Sequence, residues 1–299
     1  MASRTGFDVH QEITNRIVDA IETAGEFCLP WVSGHSGKLG RPVNIATRKA
    51  YNGVNILTLW ISSLASGYTS NIWGTYRQWQ AQGCQVRRNE KSSLVVFYKP
   101  VVLDDSDEDG DTKRERVISR ATYVFNAAQV DGFSAIPEES VPGVPLFDPI
   151  ERAERFVKAT GARVEEGGDT ACFQASADVI LMPDRCRFTG SDVSSPAEAF
   201  YATLCHELTH WSGAKGRLDR NLSGRFGSKS YAMEELIAEL GSAFLCAELG
   251  ISRELRQDHA RYVKTWLGVL KSDKKAVFTA AAKASEAANW LLAWQEEDD

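Results

Sequence analysis

The sequence predicts an α+β protein of two domains, and three observations predict it. Its 299 residues exceed the ~100–200 residues of one typical domain. Segments with apolar residues four apart alternate with short runs rich in Val, Tyr and Phe, so helices and strands are both expected. Four of the nine prolines fall between Pro137 and Pro149, in PEESVPGVPLFDP, which suits an extended connector. The division is therefore residues 1–136, a linker at 137–149, and residues 150–299. With 43% hydrophobic and 25% charged residues the chain has the composition of a globular protein, which excludes wholesale disorder.

No apolar run nears the ~18–20 residues that span a bilayer, and the N-terminus has no basic segment followed by an apolar stretch. Neither membrane insertion nor secretion is expected. The six cysteines (Cys28, Cys84, Cys172, Cys186, Cys205 and Cys246) form no CxxC pair and read as reduced packing residues in a cytoplasm.

The first element is a helix over residues 8–24, where Val9, Ile13, Ile17 and Ile21 make one apolar stripe. A second is expected around Asn55, in NILTLWISSLA. Two strands follow, SLVVFYKPVVL and RATYVFNAAQV, joined across the acidic stretch DDSDEDGD at 104–111, which cannot bury itself and must be solvated. Before that stretch, residues 1–103 carry 11 basic side chains against 6 acidic, a net of +5, although the whole chain is at −6. Aromatic and basic residues interleave in this region: Trp31, Arg41, Arg48, Lys49, Tyr51, Trp73, Tyr76, Arg77, Arg87, Arg88 and Lys91. Lys and Arg neutralise phosphates, and aromatic rings stack on bases without selecting sequence. These residues are the candidate contacts to nucleic acid, with a solvated basic face as the plainer alternative.

The C-terminal half carries chemistry. In SSPAEAFYATLCHELTHWSG, Ser195 is an N-cap, Pro196 a first-turn proline and Glu198 a capping-box acid. Gly213 closes the helix, where a left-handed residue is expected. On that helix His206 and His210 are four apart and share a face, with Glu207 beside the first: the HExxH pattern of two metal-ligating imidazoles and a catalytic carboxylate. A catalytic site of this kind needs a third protein ligand. Downstream, YAMEELIAELGSAFLCAELG reads as another helix, with Glu235 and Glu239 on one otherwise apolar face. A buried carboxylate there is costly unless it meets a metal or a donor. Glu235 is assigned as the third ligand and Glu239 as acceptor for a ligand histidine's second N–H, with Glu234 the alternative ligand. The spacing resembles that of gluzincins, which implies a gluzincin-like C-terminal domain. Two imidazoles and a carboxylate suit Zn2+ best, and Mn2+ or Co2+ suit the same donors. Glu207 would take a proton from water and pass it to a leaving amine. Tyr231, His259 and Tyr262 are candidate oxyanion donors among which the sequence does not choose. ADVILMP, 177–183, reads as an edge strand on which an extended substrate could dock.

With these residues in hand, the chain resembles the plasmid ArdC-type antirestriction family. The anchors are PWVSGHSG, RPVNIATRKAYNGVN, WGTYRQWQAQGCQVRRNEK, YVFNAAQVDG, HELTHWSGAKGRL, EELIAELGSAFL and HARYVKTWLGVLKSDKKAVFTAAAKA. The resemblance implies an N-terminal single-stranded-DNA-binding domain joined to a zincin-like metallopeptidase domain. It also implies protection of incoming conjugative plasmid DNA from host restriction. Where the family usually has a Gly and a Pro, this chain has Arg48 and Ala50, and where it tends to a Gly-rich turn this chain has Asn89, Ser92 and Ser93. The expected partners are single-stranded DNA, largely independent of sequence, and a restriction-related host protein as peptidase substrate. Two competing readings are a pure single-strand-binding protein with a structural or regulatory metal domain, and a peptidase acting on a regulator protein.

Overall fold

A computed structural model of the chain describes residues 7–24, 40–103, 114–134, 149–222, 228–252 and 257–295. The expectations for Cys28, Trp31, the acidic stretch and nearly all of the connector lie outside these residues.

Helix α1 (Val9–Ala24) buries the predicted stripe, with Ile13 and Ile17 fully enclosed. Strand β1 (Val43–Asn44) precedes α2 (Val54–Ser66), which stops at Gly67 because that residue adopts the left-handed conformation, φ 68°. Strand β2 (Ile72–Gly74) leads into the short α3 (Tyr76–Ala81), whose start is held by a Thr75–Gln78 capping box. After β3 (Gln85–Val86), the long strands β4 (Ser93–Leu103) and β5 (Arg114–Asn126) pair antiparallel, from Ser93 opposite Val124 to Leu103 opposite Arg114. Strand β6 (Val130–Asp131) returns to pair with β3. The main N-terminal sheet runs β1-β2-β5-β4. Asn55 rivets α2 to it: its Nδ2 donates to Val96 O and its Oδ1 accepts from Val96 N, both at 2.8 Å. Arg48 (φ 57°) and Asn89 (φ 67°), two positions where the resemblance leads one to expect glycine, are left-handed. Asn tolerates that region, whereas an Arg there carries a Cβ penalty.

The C-terminal half begins with α4 (Pro149–Thr160), followed by β7 (Val164–Glu166), β8 (Cys172–Gln174) and β9 (Val179–Met182). The sheet order is β7-β9-β8. The expected edge strand at 177–183 is thus the central strand, bonded on both sides by β7 and β8. Its continuous apolar run is the mark of an enclosed strand, and the edges of this sheet are β7 and β8. Four helices complete the half: α5 (Pro196–Ser212), α6 (Lys229–Leu249), α7 (Gln257–Ser272) and α8 (Ala276–Leu292). Among the described residues no helix is long and apolar enough to cross a membrane.

The two halves share one hydrophobic core. A single cluster runs from Val9, Ile13 and Trp60 through Phe200, Leu240 and Phe244 to Ala284 and Leu291. The seam is also bonded: Thr14 Oγ1 donates to Lys274 O (2.8 Å), Gly53 N to Ser285 Oγ (2.8 Å), and Arg41 Nη1 to Asn289 Oδ1 (3.0 Å). The rings of Trp60 and Phe244 meet across it at 5.7 Å.

Candidate metal centre

Helix α5 places the site. Ser195 Oγ accepts from Glu198 N, and the Glu198 carboxylate accepts in return from Ser195 N and, with its other oxygen, from Ser252 N just past α6. Burial pushes the Glu198 carboxyl up, but those backbone N–H donors outweigh burial and hold it below the usual carboxylate range. The far end differs from expectation. Gly213 has ordinary right-handed helical angles (φ −79°, ψ −9°), so backbone strain is not why it is glycine. A Cβ there would meet the Arg220 guanidinium, with Nη2 at 2.6 Å and Cζ at 2.8 Å. Gly213 makes room for an arginine that serves the site.

Helix α6 crosses α5 in close contact because Gly241 has no side chain; a Cβ at that position would lie 2.5 Å from Thr209 Cγ2. This approach brings Glu235 to the histidines. His206 Nε2 and His210 Nε2 are 3.2 Å apart, and the two Glu235 oxygens lie 3.7 Å from the first and 3.6 Å from the second. Ligands bound at ~2.0–2.1 Å in tetrahedral geometry are about 3.4 Å from one another, so the triangle has the size of one face of such a site. All three residues offer donor atoms within 4.8 Å of one another and form a divalent-metal site.

The carboxylates around the triangle divide the work differently from the sequence expectation. His210 Nδ1 is 3.2 Å from Glu234 Oε1; a carboxylate only accepts, so Nδ1 carries the proton and Nε2 keeps its lone pair for a metal. Glu234 is thus the orienting group of His210 rather than an alternative ligand. Glu239, fully buried, stands in ion-pair range of His206, its Oε2 3.7 Å from Nδ1. Behind Glu234 lies Arg220, whose Nη2 and Nε donate to its two oxygens at 2.8 and 3.2 Å, and which also bonds Thr209 O and Ser212 Oγ. Burial pushes the Glu234 carboxyl up, yet the bonds from His210 and Arg220 and their charges hold it below the usual range. Burial pushes His210 down, while its Glu234 bond and the surrounding carboxylates carry it above the ordinary imidazole value. Arg220 has no fixed spacing from the histidines, and no sequence signal singled it out.

Glu207 is buried beside the triangle, and its Oε2 accepts the backbone N–H of Phe173 on the edge strand β8 at 2.8 Å. That strand is itself clamped: Arg217 pairs with Asp178 in the β8–β9 turn, donates to Trp211 O (2.6 Å) and lies 4.1 Å over the Trp211 ring. Of the oxyanion-donor candidates, Tyr231 sits in the first turn of α6; the side chains of His259 and Tyr262 lie outside the description.

The candidate nucleic-acid residues separate by burial. Trp73 is fully enclosed, Tyr51 is buried with its hydroxyl bonded by Asn44, and the buried Arg41 bonds Asn289, Asn52 and Tyr51 O. None of these three presents a face or charge to solvent, a correction to the sequence reading, because composition does not report which side chains the fold encloses. Arg48, Lys49, Tyr76, Arg77, Arg87, Arg88 and Lys91 are exposed. The sequence reading passed over three exposed aromatics, Phe97 (45%), Tyr98 (50%) and Tyr123 (54%), on the strands it took only as hairpin scaffolding. Arg120 stands directly opposite Phe97. The available signal was an apolar run continuous on both faces of strands that have solvent on one side.

Comparison with known proteins agrees over nearly the whole chain. Residues 7–125 match the N-terminal domain of anti-restriction factor ArdC, and residues 151–283 match a zincin-like metallopeptidase family. The uncharacterized protein y4eC of Sinorhizobium fredii (strain NBRC 101917 / NGR234) is 47% identical over 301 residues, covering 98% of this chain and 94% of that protein. DNA primase TraC of Escherichia coli is 34% identical over 305 residues, 96% of this chain and 27% of the primase. The metal-free crystal structure of the antirestriction ArdC protein from the R388 plasmid superposes with a TM-score of 0.79 at 35% identity, covering 96% of this chain and 98% of that one. Its Mn(II)-bound form gives 0.78, also at 35% identity, covering 98% and 100%.

Proposed function

Because the chain belongs to the ArdC antirestriction family, joining an ArdC N-terminal domain to a zincin-like metallopeptidase domain, we propose that it binds single-stranded DNA and hydrolyses peptide bonds, protecting incoming conjugative plasmid DNA from host restriction. The observation that carries the peptidase reading is the His206–His210–Glu235 triangle with a buried carboxylate, Glu207, alongside. A divalent cation held there supplies Lewis-acid polarisation of a carbonyl and acidifies water. The chain supplies the rest. Glu207 takes the proton of the attacking water and delivers it to the departing amine; the Phe173 N–H on its Oε2 fixes the plane of the carboxylate. Glu234, backed by Arg220, holds His210 in the ligating tautomer. The β8 edge, bordering Glu207, is the strand on which an extended peptide pairs. Zinc is the proposed native metal by donor chemistry, and the Mn(II)-bound relative supports a site that also takes manganese.

Support for DNA binding comes from the exposed basic and aromatic residues of the N-terminal half and from the matches to proteins named as DNA primases. A second reading is favoured by the shared core. The metal-bearing α6 packs on α8, which carries the N-terminal half, so a bound ion could serve to brace a DNA-binding protein rather than to catalyse. One experiment separates them: restriction protection during conjugation, compared between wild type and Glu207→Ala with metal content measured in both. Loss of protection at unchanged metal content supports the peptidase reading; full protection supports the bracing one.

A further inference from the structure

At the seam where the N-terminal half meets α8, the surface opens into a cleft of about 720 Å³. Its buried lining combines the apolar Val54, Val96 and Phe278 with the polar Asn55 and Ser285. Three aromatic rings join there from separate elements: His10 lies 4.6 Å from Phe278 and 6.2 Å from Tyr98 between ring centroids, and its Nε2 is 3.2 Å from the Tyr98 hydroxyl. Tyr98 is half exposed, so part of its ring is open to a ligand. The polar lining includes hydroxyls and two amides, Asn52 and Asn289, which are bonded to each other and to Arg41 and so held in place. Lys275 and Glu286 bring one charge of each sign to the lining, and the Glu286 carboxylate is paired with Lys283. The neighbouring Lys274 and Lys271 are paired with Asp8 and Glu22, whereas Lys275 has no acidic partner among the described residues.

Aromatic faces, fixed amides and one unpaired cation together match a nucleotide. An alkyl chain would make no use of the cation, and a bare anion would make no use of three rings. Bases in a duplex are already stacked, so only an unpaired strand can place one here. We propose that this cleft is a composite single-strand site, taking an unstacked base against Tyr98 and His10 with a backbone phosphate at Lys275. The proposal rests on the single-strand reading above and adds its location. Tyr98 and His10 come from one half of the chain and Phe278 and Lys275 from the other, so a bound strand touches both.

The test uses the full chain and a fluorescein-labelled oligothymidylate of about 20 nucleotides, titrated by anisotropy at several salt concentrations. Tyr98→Ala should weaken binding on the order of ten-fold with the salt slope kept, and Lys275→Ala should reduce the slope by about 0.7. Both side chains are solvent-exposed, and photocrosslinking of a 5-iododeoxyuridine strand to the wild-type chain adds a readout independent of any variant. Adducts on Tyr98, His10 or Phe278 support the cleft. A wild-type chain that fails to bind overturns the single-strand reading itself. Wild-type binding with both variants within about two-fold of it, or adducts confined to residues outside the cleft, overturns this location and leaves that reading standing.

Discussion

Arg220→Ala tests the buried support behind the metal ligands. The Arg220 side chain is 4% exposed and the Glu234 side chain 10%, so solvent does little to screen their pairing. Removing the guanidinium leaves the Glu234 carboxylate enclosed, with the His210 ring as its remaining bonded partner. Breaking a buried pair from one side costs ~3–5 kcal/mol, because the surviving charge stays desolvated. Thr209 O keeps a donor in Ser212 Oγ at 2.6 Å, so the loss is dominated by the ion pair rather than by orphaned backbone. The expected result is a fall of about 3–5 kcal/mol in unfolding free energy in chelator, read by urea titration. Metal affinity should fall by up to about 10-fold, because Glu234, which fixes the His210 tautomer, loses the arginine that holds it in place. Arg220→Ala combined with Glu234→Ala should cost less than the sum of the two, since no charge is then stranded. A loss under about 1 kcal/mol with unchanged metal affinity would refute the reasoning.

Four further outcomes follow from the geometry. Gly241→Ala places a methyl 2.5 Å from Thr209 Cγ2; overpacking of this kind costs ~1–3 kcal/mol, and metal titration should show weaker binding that Thr209→Ala restores. Arg48→Gly relieves a left-handed arginine at φ 57° and should raise stability by up to about 1 kcal/mol in the same urea assay, the strain relief exceeding the added unfolded-state entropy. His206→Ala or Glu235→Ala should abolish stoichiometric metal on elemental analysis, and chelator should lower the wild-type melting temperature but not theirs. The folded Glu198 carboxyl lies below its unfolded value. Its stabilising effect is therefore complete above about 4.3 and disappears as pH falls through the lowered folded value. Glu198→Gln should flatten the acid limb of the stability curve in that window.

Helix α5 was legible in the sequence to the residue, from Pro196 to Ser212, because a capping box and a first-turn proline are local chemistry. His206, Glu207 and His210 were legible for the same reason, and Glu235 came with them because i,i+4 spacing puts it on the face of α6 that meets them. The role of Glu234 was not legible. It depends on where His210 points from another helix and on an arginine fourteen residues earlier, and neither has a period. Gly213 was read for its conformation and turned out to serve Arg220's volume, a distinction only packing makes. The aromatic and basic count in the first hundred residues named Trp73, Tyr51 and Arg41, which the fold buries, and passed over Tyr98, which it exposes.

By itself, then, the sequence determined the α+β class, the longest strands, the helices that carry the site and the chemistry of the metal ligands. These rest on hydrogen bonds and side-chain periodicities that span a few residues. The proline-rich stretch between residues 137 and 149 likewise reads as a break in the chain, because proline acts on its own neighbourhood. Only the tertiary structure decided that the two sides of that break share one core, with Thr14 bonded to Lys274 and Gly53 to Ser285 across more than two hundred residues. Such contacts arise from burying apolar area, which is blind to separation along the chain, and so no local pattern announces them.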